Sequence, residues 1–202
     1  MDIQPNVLSS VTAGADEFNA AAKHYRWPGL CDPTCKFFYA KHRDILALWR
    51  SLAGSEGIPF RREMTARRLQ PYLKSILLYE RVEGGHGERR YRVRLMGSKI
   101  VQVFGEFTGK CLDEVIPANF LPRWEALPDA VLRTGAPVRF LVRSDTFDKA
   151  HMVAEYFCAP LRADDGEARL VWIVGHYDGT LCWTELHAAE CKRLGLEPAV
   201  FI

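Results

Sequence analysis

The chain has 202 residues, 48% hydrophobic and 26% charged, and its 27 Lys and Arg against 25 Asp and Glu give a formal net charge of +2. Those proportions match a soluble folded domain and exclude wholesale disorder and fibrous repeats. So even a balance offers no electrostatic footprint for nucleic acid or an anionic membrane surface, and no apolar run approaches the roughly 20 residues that span a bilayer.

Residues 1–34 read as a loosely ordered leader, rich in Ala, Ser and Asn and carrying Pro5, Pro28 and Pro33, with at most a short helix over 13–25. Three acids and no base precede Lys23, and no continuous apolar block follows, so the start does not resemble a signal peptide and a cytoplasmic location is expected. Six cysteines are too few for a disulfide scaffold and read mainly as buried thiols.

Residues 36–53 carry Phe38, Ile45, Trp49 and Leu52 at spacings of 7, 4 and 3, which predicts an amphipathic helix. Its stripe needs a sheet face, or a second copy of the chain, to cover it. One or two helical turns are expected within 65–73. Apolar SILLYERV (75–82), the turn composition EGGHGE, and the alternating RRYRVRLM (89–96) predict a hairpin.

Short helices are expected near 98–104, where Ser98 can cap the start, and near 108–116. A longer one is expected over 119–134, kinked or split at Pro128. Three strands follow, at 137–144, 151–162 and 168–178, and a short helix near 183–194 closes the pattern. Strands 89–96 and 137–144 alternate arginines with apolar residues and are expected at sheet edges. The more uniformly apolar segments 75–82, 151–161 and 170–177 are expected centrally. Hairpin pairing then makes 75–82 and 170–177 antiparallel neighbours. The predicted fold class is α+β: a five-stranded antiparallel sheet with the middle helices on one face and helix 36–53 on the other.

The segments LWRSL (48–52), PFRRE (59–63), YRVRLMGSKIVQVFGEFTGKCLDEVI (91–116) and APL (159–161) carry a resemblance to the PAS domain superfamily, in its fifth, bacterial, LWRSL-headed subfamily. The resemblance covers about residues 45–177, and the expected division is a leader (1–34), a PAS-like domain (35–180) and a helical tail (181–202). It implies a sensory or regulatory module that binds a small molecule between sheet and middle helices, or pairs with another signalling protein, with a homodimer expected through Phe38, Ile45, Trp49 and Leu52. It implies no catalytic residues. No GxSxG, HExxH, P-loop or GxGxxG stretch appears, so no enzyme is expected. GHYDGT (175–180) is similar to the G…D-I-T ending that hands a signal to a following helix, with Gly179 in place of the Ile; with only a short helix after it, output would fall to protein–protein contact.

The cofactor is left unknown. Flavin is disfavoured: Cys111 comes one residue too early after Gly109, and one residue rotates a helical side chain by about 100°. Haem is disfavoured because His176 and His151, the histidines nearest the strands, read more simply as satisfied or edge residues. No metal is expected. Cys31, Cys35, Cys182, His187 and Cys191 could make a tetrahedral zinc site only if the two ends of the chain meet. Glu155 is a carboxylate inside an apolar strand and needs a partner, either Arg139 or Arg143, or a donor on a ligand. Pairing across the ADDGE turn sets Cys158 against Trp172, so Tyr156, Trp172 and His176 share a face. With Val93, Leu95 and Phe104, those three are the expected ligand-cavity residues, although which sheet face looks toward the middle helices stays open.

Overall fold

A computed structural model describes residues 5–54, 57–145 and 152–199, with side chains from residue 12. The alternating segment becomes strand β3 (Arg89–Met96), which buries Tyr91 and Val93 and turns Arg92 and Arg94 to solvent. It pairs with β2 (Ile76–Glu83), and β2 runs antiparallel beside β6 (Ala168–Asp178), with Ile76 opposite Val174 and Glu80 opposite Leu170. The first and last of the five expected strands are therefore central neighbours. Next come β5 (Val153–Arg162) and β4 (Val138–Arg143).

A sixth strand lies beyond them. Residues Gly29–Asp32 form β1 and pair antiparallel with β4, giving the order β1-β4-β5-β6-β2-β3. The expectation of an edge at 137–144 is thus corrected: the strand is flanked on both sides, and Arg139 is completely buried. The leader is corrected with it. Residues Pro5–His24 form helix α1, which lies along the long helix α6 (Leu121–Thr134). Gly14 allows the close approach, since a Cβ there would stand 2.5 Å from the Ala130 carbonyl oxygen. Pro128 lies inside α6, which runs unsplit from Leu121 to Thr134.

Helices α1, α4 (Ser98–Phe104), α5 (Leu112–Val115) and α6 cover one sheet face with a single apolar core. Gly97, rather than Ser98, takes the N-cap position of α4. The amphipathic helix α2 (Ala40–Ala53) and the short α3 (Ala66–Leu69) cover the other face. Ile45 and Trp49 are spent on that second core, and the Trp49 indole N–H donates to the Pro160 carbonyl at 3.0 Å. The expected dimer stripe is corrected accordingly: Ile45 and Trp49 are buried within the chain, Leu52 is partly buried in the same core, and Phe38 alone of the four is exposed. Helix α7 (Trp183–Leu194) packs on the same face, its Trp183 and Cys191 meeting Leu30, Leu141 and Val153. It is an integral layer rather than a tail.

Candidate functional site

Two β-bulges decide which side chains face the α4–α6 side. In the β5–β6 ladder Leu161 stands opposite Leu170 but Arg162 opposite Ala168, leaving Arg169 as an extra residue. The register is therefore one residue away from the one expected across the turn. Cys158 faces Ile173, and Trp172 faces Ala159. Because side chains alternate, that single step moves β6 to the opposite face relative to β5. Trp172 packs edge-on against Phe157 under α2, with ring centroids 5.6 Å apart, and His176 lies 3.7 Å from the Tyr39 ring on that same side. The second bulge makes Arg94 the extra residue between Val93 and Leu95, and Leu95 turns toward the α2-side core.

A cavity of about 70 Å³ remains between the sheet and helices α4 and α6. Of the six expected lining residues, Phe104 and Tyr156 line it, and Val93 sits in the surrounding core without lining it. Leu95, Trp172 and His176 lie on the other face. Sequence reasoning missed Phe18 from α1, Arg123 from α6, Ser144 at the end of β4, and Ile173 and Tyr177 from β6. The β6 pair was readable by alternation once the register was known. Phe18 had no signal beyond its place in an Ala-rich segment.

The walls are apolar, built from Phe18, Leu77, Ile100, Phe104, Trp124 and Ile173 among others. One end is polar. The Tyr156 and Tyr177 hydroxyls hydrogen-bond at 3.2 Å. Burial pushes the Tyr156 phenol up to about 12 and the Tyr177 phenol well above its ordinary value, so both stay protonated near neutral pH. The Ser144 hydroxyl is buried beside Tyr156, near enough to influence its titration but outside hydrogen-bonding geometry, and it has no partner. Arg123 reaches Asp145 at 2.5 Å. The strand alternation that puts Phe140 in the cavity-side core and Arg139 opposite assigns the Arg143 side chain to the far face, so Arg143 borders the cavity through its backbone.

On the reverse of the same strand, Glu155 meets Arg139, one of its two expected partners, with Nε donating to Oε1 at 2.6 Å. Its other donors are the Phe38 and Tyr39 backbone amides at 2.9 and 3.2 Å, and His42 Nδ1 lies 2.8 Å from Oε2. Arg139 Nη1 also donates to Glu190 at 2.6 Å and to Asp32 at 3.2 Å, and Arg193 binds both of those acids. Burial disfavours the charged carboxylates. For Glu155 the hydrogen bonds from His42 and the Phe38 amide, with the Arg139 charge, outweigh that cost; for Asp32 the Thr34 hydrogen bonds and Arg193 do so. Both carboxyls are held below their ordinary values. The cluster ties β1, β4, β5, α7 and the entry of α2 together.

The zinc candidates do not converge. Cys31 packs in the cavity-side core, Cys35 donates its thiol to the Pro137 carbonyl at 3.1 Å on the other side, and Cys182 is exposed. His187 and Cys191 are neighbours on α7, Nε2 lying 3.5 Å from Sγ, without a third ligand; among the described residues no group of three or more His, Cys, Asp or Glu side chains is placed to hold a metal. Cys111 is a buried residue at the N-cap of α5 and does not line the cavity. His151 lies outside the described residues.

A family profile described as "PAS domain" matches residues 38–176. One solved structure similar to this chain, entitled "Flavin Analogue Sheds Light on Light-Oxygen-Voltage Domain Mechanism", is 15% identical, covers 64% of this chain and 92% of its own, and superposes with a TM-score of 0.37. No curated protein matches. Among the described residues no helix is long and apolar enough to cross a membrane.

Proposed function

Because the chain belongs to the PAS domain family, we propose that it is a cytoplasmic sensory or regulatory module that takes a small molecule into the cavity between the sheet and helices α4 and α6 and signals through contact with another protein. The observation that carries this reading is a cavity with apolar walls and one polar end, where a buried hydroxyl has no partner. Ligand sites combine apolar walls with a few placed polar groups in this way, and an unsatisfied buried hydroxyl costs about 1–3 kcal/mol that a ligand acceptor would recover. The reading assigns no catalysis.

Strand β5 supplies a route outward. Tyr156 faces the cavity while its neighbour Glu155 holds the first amides of the α2 entry and, through Arg139, strand β1 and helix α7. A guest that displaces Tyr156 therefore biases the anchoring of elements on the opposite surface, which is the kind of coupled two-sided element that signalling requires. The homodimer expected from sequence would need a surface other than Ile45 and Trp49.

Native mass spectrometry of the purified protein, paired with the denatured mass and with amide hydrogen exchange, tests the reading. A bound small molecule, together with changed exchange in α2 and α7 on its removal, is the expected result. A bare polypeptide mass, and no exchange change with any added small molecule, would leave a ligand-free adaptor acting only through partner binding. The small volume of the cavity is what favours that second reading.

A further inference from the structure

We propose that the cavity selects a small neutral molecule bearing one acceptor oxygen of the carbonyl class, a ketone or ester, in preference to an acid or an amine. The inference rests on the ligand-binding reading above and specifies what the polar end would accept.

Charge decides the first part. The guanidinium at the cavity end, Arg123, is matched by Asp145 at 2.5 Å, and its side chain and that of Asp145 are only 13% and 21% exposed. The remaining polar side chains facing the cavity, Tyr79, Ser144, Tyr156 and Tyr177, are hydroxyls. Arg143, whose buried Nε makes no hydrogen bond, lies on the far face by strand alternation, so a carboxylate brought here would be a buried anion facing no unmatched cation, and an ammonium would lack an unmatched anion; either is strongly disfavoured.

Proton counting decides the second part. Four hydroxyls of the lining, Tyr79, Ser144, Tyr156 and Tyr177, carry four O–H donors, and the Tyr156–Tyr177 bond uses one of them. The Ser144 hydroxyl lies beside Tyr156 but makes no hydrogen bond of good geometry among the described residues, so this end of the cavity has donor capacity to spare. A carbonyl oxygen offers two lone pairs and brings no proton that must be placed. The volume sets the scale: about 70 Å³ is roughly half the ~150 Å³ cavity that accepts the six carbons of benzene, so a body of about three non-hydrogen atoms fits as the cavity stands and one of four or five fits with modest repacking.

Four probes of matched size test this on the full chain: butanone, propionate, sec-butylamine and pentane, titrated at millimolar concentration while the amide resonances of Leu77, Tyr156 and Ile173 are followed by NMR. Butanone is expected to bind tightest, with propionate and the amine giving no saturable shift at these amides. Ser144→Ala and Tyr177→Phe, each first shown to melt cooperatively, should weaken butanone about five- to tenfold, the worth of one neutral hydrogen bond, and leave pentane unchanged. Propionate or the amine binding as tightly as butanone would overturn the neutral-head inference while leaving the cavity reading in place. Pentane matching butanone, or both variants leaving butanone unaffected, would overturn recognition by the hydroxyls. If none of the four probes moves any cavity amide, the ligand-binding reading fails, and the inference goes with it.

Discussion

Adjacent residues of strand β5 hold their polar groups in different ways on the two faces of the central sheet. On the α2 side, Glu155 collects Arg139, His42 and two backbone amides, and every acid around Arg139 meets a second donor. On the α6 side, Tyr156 shares one long hydrogen bond with Tyr177 beside a serine hydroxyl that has none. A cluster in which each acid meets two donors fixes one geometry, although Arg139 Nη2 itself makes no hydrogen bond. An unsaturated end with space beside it leaves bonding capacity for a visitor. The contrast separates anchorage from reception on one strand.

The contrast can be broken hardest at Arg139. Arg139→Met would strand Asp32, Glu155 and Glu190 without their shared cation, and is expected to destabilise the fold by about 3–5 kcal/mol in urea unfolding. Acid should attack the same cluster. Both Glu155 and Asp32 are held below their ordinary values, so the unfolded chain takes up their protons first; the stability they contribute is complete above about pH 4 and is lost as pH falls through the lower folded-state values. A pH series of unfolding midpoints should show that loss steepening below about pH 4, and a flat profile there would contradict the account of the cluster.

On the other face the effects are smaller. Gly14→Val would push a side chain into the Ala130 carbonyl and force α1 off α6, costing about 1–3 kcal/mol in thermal melts. Ser144→Ala is the sharpest comparison with Arg139→Met. It deletes a buried polar group that nothing satisfies, so stability in the absence of ligand is expected to stay within about 1 kcal/mol of the parent, shifted upward. A loss of several kcal/mol would show that the hydroxyl is bonded after all.

The parts legible in the sequence were those governed by local pattern. The alternation of Arg89–Met96, the helix at Ser98–Phe104, and the strand at Ala168–Asp178 were readable with their ends. So was the need of Glu155 for a cation, because a carboxylate in an apolar strand is costly alone. What escaped depends on distant or single-residue events. Four residues, Gly29–Asp32, carry no periodicity, and only pairing with β4, more than a hundred residues away, makes them a strand. The extra residues Arg94 and Arg169 at the two bulges cannot be told from ordinary ladder members, yet they decide the facing of Leu95, Trp172 and His176. Half of the expected cavity was lost to those two insertions. The amphipathic character of α2 was visible, but not that the sheet would consume Ile45 and Trp49 and leave nothing of them for a second chain.

The short strand β1 also sets where this protein can be cut. A fragment trimmed to residues 38–176 would discard the strand that caps β4, and with it Asp32, helix α7 and the Phe18 wall of the cavity. The bared flank of β4 would then offer a row of unused amides and carbonyls to any other chain in solution, a template for sticking edge to edge. Truncation at the family limits is therefore expected to give aggregates rather than a minimal receptor.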